Sequence, residues 1–387
     1  MKKLLLAVII VVFTGAFFFF VKGNVADTAK AWPARVLNVY PGVISKLVFS
    51  PDGKVLAFVG QNNDSFIQIK LLNTTNWKQM KYPKASDLAK SESNAEGSFS
   101  KEVSFSPDNQ QVAISHSADI LAYLKSKDSY KGKPVEKIDI RKMGTWEKVH
   151  QITINGPNEE DIFTQQLSYS HDGKYFVQID THHLRIWETK DWKLLHTLHF
   201  KNPTNVFDYL DAFSISPDSK TIATVTSRYV VKLWNIETGL PLDKKKQFMI
   251  IPLMSKPLLS KEAYRYAKIQ FSPDGTKLAI ITGDTISSKM YLWDLEQEKI
   301  LYTIKDSVGG MHGLSFSPDG KYIATSSFAP QVVLWDAVSG EKLKILDNTG
   351  NFPYNDVQYA PDGKILAACV EGQIKIWEMS QVLSGSG

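Results

Sequence analysis

The chain has 387 residues, 43% hydrophobic, 11% aromatic and 22% charged, with 23 glycines and 17 prolines, values that exclude a wholly disordered, collagen-like or coiled-coil protein. Its single cysteine, Cys369, excludes an intramolecular disulfide and any cysteine-built zinc or iron–sulfur cage. Of the formal charge of +5, +3 falls within residues 1–31 (Lys2, Lys3, Lys22 and Lys30 against Asp27), so the body lacks the concentrated basic surface of a nucleic-acid binder and no nucleic-acid partner is expected.

Residues 4–21 form an apolar run without a charge, between Lys2-Lys3 and Lys22. Eighteen residues at about 1.5 Å each make about 27 Å of helix, close to the hydrocarbon thickness of a bilayer. A cleaved signal has a shorter apolar stretch of about 7–15 residues followed closely by a small-x-small site. Here Ala29-Lys30-Ala31 lies ten residues beyond Val21. Residues 1–21 are therefore read as an N-terminal apolar helix that anchors the chain in a membrane through residues 4–21. A cleaved signal with secretion, or a buried helix of a cytoplasmic protein, are the alternatives. The N-terminal lysines set the N-terminus in the cytoplasm and everything after Lys22 on the extracytoplasmic side, periplasmic or at the cell surface. Residues 22–33 read as a linker.

From residue 47 one phrase recurs seven times. It reads Phe49-Ser50-Pro51-Asp52-Gly53, Phe105-Ser106-Pro107-Asp108-Asn109, Tyr169-Ser170-His171-Asp172-Gly173 and Ile215-Ser216-Pro217-Asp218-Ser219 in the first four copies. Phe271-Ser272-Pro273-Asp274-Gly275, Phe316-Ser317-Pro318-Asp319-Gly320 and Tyr359-Ala360-Pro361-Asp362-Gly363 complete the series. Before each phrase apolar residues alternate with small polar ones, the period of a half-buried strand. The phrase itself is turn chemistry: Pro fixes φ, Asp bonds its own backbone, and Gly accepts positive φ. A second strand follows, as in Tyr322-Ile323-Ala324-Thr325, and a third ends on tryptophan in Trp187, Trp234, Trp293, Trp335 and Trp377. A polar turn then leads to a fourth strand, such as residues 342–346. A four-stranded unit of this size cannot bury both faces alone, so the copies must stack.

These Ser-Pro-Asp-Gly turns and Leu-Trp-Asp endings resemble the WD40-repeat family, over roughly residues 34–378. The resemblance implies an all-β, seven-bladed β-propeller of four-stranded antiparallel blades around a central channel, here spanning residues 34–380. The seventh copy stops after three strands at Trp377, while Ala34-Arg35-Val36-Leu37-Asn38 is a spare strand ahead of the first copy. Joining the two in one blade closes the ring and removes an exposed edge. The pattern departs from the family in places. The Gly-His pair between blades is missing, the Asp before the third strand is absent from most copies, and Leu72 and Arg141 stand where tryptophan is expected in the first two blades. The family's His–Asp network is not carried over, and some blades also resemble bacterial propellers of the TolB type. Residues 381–387 read as a flexible tail ending in the linker-like Ser384-Gly385-Ser386-Gly387.

The turn aspartates are spaced by 56, 64, 46, 56, 45 and 43 residues, against a unit of about 40–45. The surplus falls at residues 80–102, 116–134, 155–166 and 241–268, connections that leave an up-and-down blade on the face opposite the Ser-Pro-Asp-Gly turns. Insertions gathered on one face mark a binding surface in repeat folds. The longest carries Lys244-Lys245-Lys246 beside the apolar residues 248–254, which suits either a lipid or partner contact or an extended outer strand.

No nucleophile elbow, zinc-protease helix motif, phosphate loop or dinucleotide fingerprint occurs in the chain. His196 and His199, three apart on a strand, point to opposite faces and make a poor ligand pair. No catalytic residue, metal or cofactor is expected. Residues leading into the first strands surround the channel mouth: Lys46, Glu102, Gln166, Asp211, Lys268, His312 and Asp356, with Phe163, Tyr209, Tyr266 and Tyr354 nearby. A mixed-charge ring with aromatic anchors suits recognition of a protein or peptide. The expected function is a non-enzymatic interaction scaffold, exported or membrane-tethered. The alternative is a propeller enzyme, a hydrolase or quinone-dependent dehydrogenase, with its site at that mouth.

Overall fold

The repeated phrase folds the same way wherever it is complete. The Ser50 hydroxyl donates to Asp52 Oδ1 at 2.7 Å and accepts the Val55 N–H at 2.9 Å, while Asp52 Oδ1 accepts the Lys54 N–H at 3.1 Å. The same three bonds form around Ser106, Ser170, Ser216, Ser272 and Ser317. The serine is thus as much a part of the turn as Pro, Asp and Gly, because it caps the first N–H of the next strand. Ala360 deletes that cap in the seventh copy, where the Asp362 bond to the Lys364 N–H, at 3.0 Å, is kept. Asn109 and Ser219 replace glycine at φ of 58° and 61°. Their side chains accept the N–H groups of Asp52 and Asp172 in the preceding copy, at 3.1 and 3.0 Å, which offsets the strained backbone.

The computed structural model describes residues 34–61, 67–80, 99–118, 135–155, 164–200, 209–242, 249–250, 265–284, 288–306, 310–348 and 352–385. After β1 (Arg35–Asn38), blade one holds β2 (Val43–Phe49), β3 (Val55–Gln61) and β4 (Ile67–Asn73). Blade two holds β5 (Phe99–Phe105), β6 (Gln111–Ala118), β7 (Val135–Lys142) and β8 (Lys148–Asn155). Blade three holds β9 (Gln166–Tyr169), β10 (Tyr175–Ile179), β11 (His183–Glu188) and β12 (Lys193–His199). Blade four holds β13 (Leu210–Ile215), β14 (Thr221–Thr226), β15 (Val230–Asn235) and β16 (Met249–Ile250). Blade five holds β17 (Arg265–Phe271), β18 (Lys277–Asp284), β19 (Ser288–Asp294) and β20 (Lys299–Asp306). Blade six holds β21 (Met311–Phe316), β22 (Tyr322–Ser327), β23 (Val332–Asp336) and β24 (Lys342–Asp347). Blade seven holds β25 (Tyr354–Tyr359), β26 (Ile365–Val370) and β27 (Gln373–Glu378), and α1 (Met379–Ser384) follows.

Among the described residues these strands make seven antiparallel sheets, six of four strands and one of three. Blade one has the three, and an isolated bridge between Leu72 and Gln79 begins a fourth. Register places Leu72 and Arg141 at the tryptophan positions of the first two blades. Leu72 and Arg141 pair with Leu56 and Val112, as Trp335 and Trp377 pair with Ile323 and Leu366. In two blades the tryptophan keeps a polar partner on the second strand: Trp234 and Trp335 Nε1 donate to Thr224 and Thr325 Oγ1 at 3.0 and 2.8 Å.

Apolar side chains of successive blades interlock in seven clusters, one per seam. The seam between blades seven and one joins Ile44, Leu47, Leu56 and Phe58 to Ala367, Cys369, Ile374 and Ile376. Cys369 is fully buried on the second strand of the last blade, where a small apolar residue is expected. Closure follows the reading of the spare strand, since β1 pairs with β27 from Arg35 opposite Ile376 to Asn38 opposite Gln373. The chain then crosses to blade one, with the Val39 and Tyr40 N–H groups on the Gly372 carbonyl at 3.1 and 3.2 Å.

The apolar helix expected over residues 1–21 and the linker expected over 22–33 lie outside the described residues. Among the described residues no helix is long and apolar enough to cross a membrane. At the other end, residues 381–384, read from sequence as tail, belong to α1, which buries Met379 and Val382 against blade seven.

The crossing leaves no room at Gly372, where an added Cβ would lie 1.9 Å from the Tyr40 carbonyl oxygen. The Gly372→Ala variant is expected to lose about 3 kcal/mol of stability through this overlap. Urea denaturation measures it, and an unchanged midpoint would contradict the closure described.

Candidate functional site around the channel

The innermost strand of every blade is an edge strand facing the channel, so alternate N–H groups along it have no partner in their own sheet. The preceding blade supplies one. Ser104 Oγ accepts the Tyr169 N–H at 3.3 Å, and Ser214 Oγ accepts that of Phe271 at 3.1 Å. Gln270 Oε1 accepts the Phe316 N–H at 3.2 Å, and Ser315 Oγ accepts that of Tyr359 at 3.0 Å. Gln166 grips Phe213 of blade four twice, accepting its N–H at 3.1 Å and donating to its carbonyl at 3.0 Å. Asp356 Oδ2 accepts the Leu47 N–H at 3.0 Å across the closing seam. Between blades one and two, Lys46 pairs with Glu102.

Four of the expected channel residues, Lys46, Glu102, Gln166 and Asp356, are therefore seam clamps. Glu102 and Asp356 are only 7% and 8% exposed. Burial raises both carboxyls above their ordinary range, against the opposing pull of Lys46 and Lys268. Lys268, on β17, is exposed, and its side chain makes no hydrogen bond or ion pair among the described residues. Its charge opposes the burial-driven rise at Glu102 and Asp356 and adds to the fall at His312.

Asp211 and His312 stand one residue farther from the turn than the other five. Both occupy β-bulges, in the steps from Leu210 to Ala212 and from Met311 to Gly313. The bulge takes them out of the ladder, which a fixed offset from the Ser-Pro-Asp-Gly turn does not anticipate. At Gly313 a Cβ would lie 2.3 Å from Ser326 Oγ and 2.9 Å from the Val357 nitrogen, so blades six and seven approach closely there.

The aromatic residues divide differently from the expectation of an exposed rim. Tyr354 is fully buried and donates to Asp347 Oδ2 at 2.5 Å, with Lys375 on the same carboxylate. Its position after the β24 connection puts it in the seam, which removes it from any partner-facing surface. Tyr266 is also core, 9% exposed, with its ring 4.4 Å from His312. Tyr209 is half-buried, its N–H on Ser227 Oγ at 3.0 Å and its ring 5.6 Å from His182. Phe163 lies outside the described residues, as do residues 81–98, 119–134, 156–163, 243–248 and 251–264, which make up most of the connections read as a binding surface.

Two buried polar groups escaped sequence reasoning. Asp139 in blade two takes Arg141 Nη2 at 2.7 Å and Gln151 Nε2 at 2.6 Å. Asp180, in the turn before β11, takes Arg185 Nη1 at 2.5 Å and the N–H groups of His182 and His183 at 2.9 and 2.8 Å. Burial works against ionisation of both; the His116 side chain, with Gln151 and Arg141, overrides it at Asp139, and the His183 side chain, with Arg185, overrides it at Asp180, so each carboxyl is held below its usual range. The signal available for Asp180 was its turn position, where the family's aspartate is expected. Among the described residues no three His, Cys, Asp or Glu side chains are grouped to hold a metal ion.

His312 packs between Tyr266 and Phe328, whose ring centroid is 3.7 Å away. Burial, then Lys268, pushes its pKa from 6.5 down to about 3. Between those values the unfolded chain binds the proton that the folded protein refuses. Stability is thus fully present above about pH 6.5 and declines as pH falls toward 3. The His312→Phe variant should flatten the stability–pH slope between pH 6.5 and 4, measured by urea midpoints. A slope equal to that of the unsubstituted protein would contradict the neutral, enclosed imidazole.

With this geometry in place, the chain can be compared with known proteins. A family model described as "WD domain, G-beta repeat" matches residues 298–336 and 340–378. Each match runs from the outer strand of one blade to the third strand of the next. The chain is 26% identical over 223 residues to periodic tryptophan protein 2 of Arabidopsis thaliana, covering 50% of this chain and 24% of that protein. It is 26% identical over 115 residues to small ribosomal subunit protein RACK1y of Oryza sativa, covering 30% of this chain and 33% of the relative. A subunit of chromatin assembly factor 1 from Gallus gallus matches at 23% over 192 residues, covering 44% and 31%. The aligned part is thus a third or less of each of these relatives. Repeat matches in the last blades, WD-repeat relatives and a closed ring of seven blades agree, and together they support the WD40-repeat β-propeller family for this chain.

Proposed function

We propose that this propeller is a non-enzymatic interaction scaffold that holds a protein or peptide partner on the face where the long connections emerge. The observation that carries this reading is Lys268. It is an exposed cation whose charge acts on the buried carboxyls of Glu102 and Asp356, while four other polar residues of the ring, Lys46, Glu102, Gln166 and Asp356, are committed to seams. A charge held in a rigid ring suits an acidic or carbonyl-rich segment of a partner, and a closed propeller orders little on binding, which lowers the entropic cost. Two of the relatives carry names that mark them as a ribosomal subunit protein and a subunit of an assembly factor, in keeping with a part that works inside a larger complex. The reading extends to place: residues 4–21 tether the propeller to a membrane from the extracytoplasmic side, on the strength of their length and lack of charge.

Partner capture from detergent-solubilised membranes after cross-linking tests the site. Lys268→Glu should reduce recovery of the cross-linked partner at least tenfold. Lys321→Glu, at an exposed lysine on the opposite, Ser-Pro-Asp-Gly face, should leave it unchanged. Equal capture by both variants would overturn the assignment. Deleting residues 1–33 should move the protein from the membrane to the soluble fraction, and persistence in the membrane would overturn the tether.

A further inference from the structure

Sequence spacing directs attention to His196 and His199, but strand register assembles a different pair. His183 opens β11 and His199 closes β12, and the two are directly opposite each other in the ladder. Their ring centroids are 5.0 Å apart with planes at 79°. His196 is engaged elsewhere, its Nε2–H donating to the Glu237 carbonyl at 2.7 Å.

The surroundings prepare His183 for a lone-pair role. Its Nδ1 lies 3.0 Å from Asp180 Oδ1, and Asp180 is itself held by Arg185 and by two backbone N–H groups. An ionised Asp180 accepts from Nδ1–H, which leaves the Nε2 lone pair directed away from the carboxylate. This is the carboxylate–histidine arrangement that orients imidazoles toward metals. Two imidazoles bound to one ion through nitrogen bonds of about 2.1 Å, at angles between square and tetrahedral, have centroids about 4.5–5.2 Å apart. The observed spacing falls inside that interval. His183 is half-buried and His199 exposed, so an ion reaches the pair from solvent.

We propose that His183 and His199 form a binding site for a divalent transition-metal ion of borderline softness, with water completing its coordination. Imidazole donors select such ions over calcium and magnesium, which prefer oxygen. Bound there, the ion links the third and outer strands of blade three at the end of the sheet where the connection to blade four begins.

Isothermal titration of ZnCl2, and separately of NiCl2, into the full chain tests the site. One ion per chain is expected to bind, with MgCl2 giving no binding. His199→Ala should weaken the interaction at least tenfold, and His196→Ala should leave it unchanged. Because His199 is exposed, its replacement keeps the fold, which circular dichroism verifies. His183→Ala should match His199→Ala. Absence of binding by both zinc and nickel, or equal affinity in the His199→Ala protein, would overturn the proposal.

Discussion

Each blade of a propeller turns a sheet edge toward the central channel, and the treatment of that edge organises this molecule. Along each inner strand every second N–H points away from its own sheet. Six of these groups, those of Leu47, Tyr169, Phe213, Phe271, Phe316 and Tyr359, bond to a side chain of the preceding blade. The remaining seam, between blades one and two, is bridged by the Lys46–Glu102 pair. The apolar clusters drive stacking, because burial of apolar area is large and non-directional. The polar clamps then fix how far each blade slides past the next, because hydrogen bonds are short and directional.

The same residues bear on function. A side chain cannot both clamp a seam and reach for a partner, so the clamps narrow the recognition surface from a ring of seven to a few positions. Lys268 stands out because its blade uses Gln270, two residues on, for the seam. Asp211 and His312 stand apart because bulges displace them from the ladder. His312 is then enclosed by aromatic rings and kept neutral, which suits packing better than charge recognition.

The architecture was readable in the sequence because it is written in local chemistry. Repeated Ser-Pro-Asp-Gly turns, alternating strands and the spare strand at Arg35–Asn38 each encode their own conformation, and the structure follows them to the pairing of β1 with β27. The candidate site was readable only in part, because its content depends on what lies across a seam. Nothing within residues 354–356 says that Tyr354 meets Asp347 and Lys375, or that Asp356 meets Leu47 of the first blade. Asp180 and Asp139 were missed for a different reason: their partners lie in their own blades, and linear spacing alone did not mark Arg185 or Gln151 as donors to a buried carboxylate. His199 was weighed only against the nearer His196, and that pair was rejected, as linear spacing does not reveal the register that sets His183 opposite His199.

The central claim is that side chains of one blade satisfy the inner edge of the next, turning seven sheets into one rigid ring. Amide hydrogen exchange followed residue by residue tests it most directly. The N–H groups of Tyr169, Phe271, Phe316 and Tyr359 should exchange as slowly as those paired inside the sheets, such as Ala324 of β22, despite facing the channel. Exchange of these four at the rate of open loop amides would contradict the account.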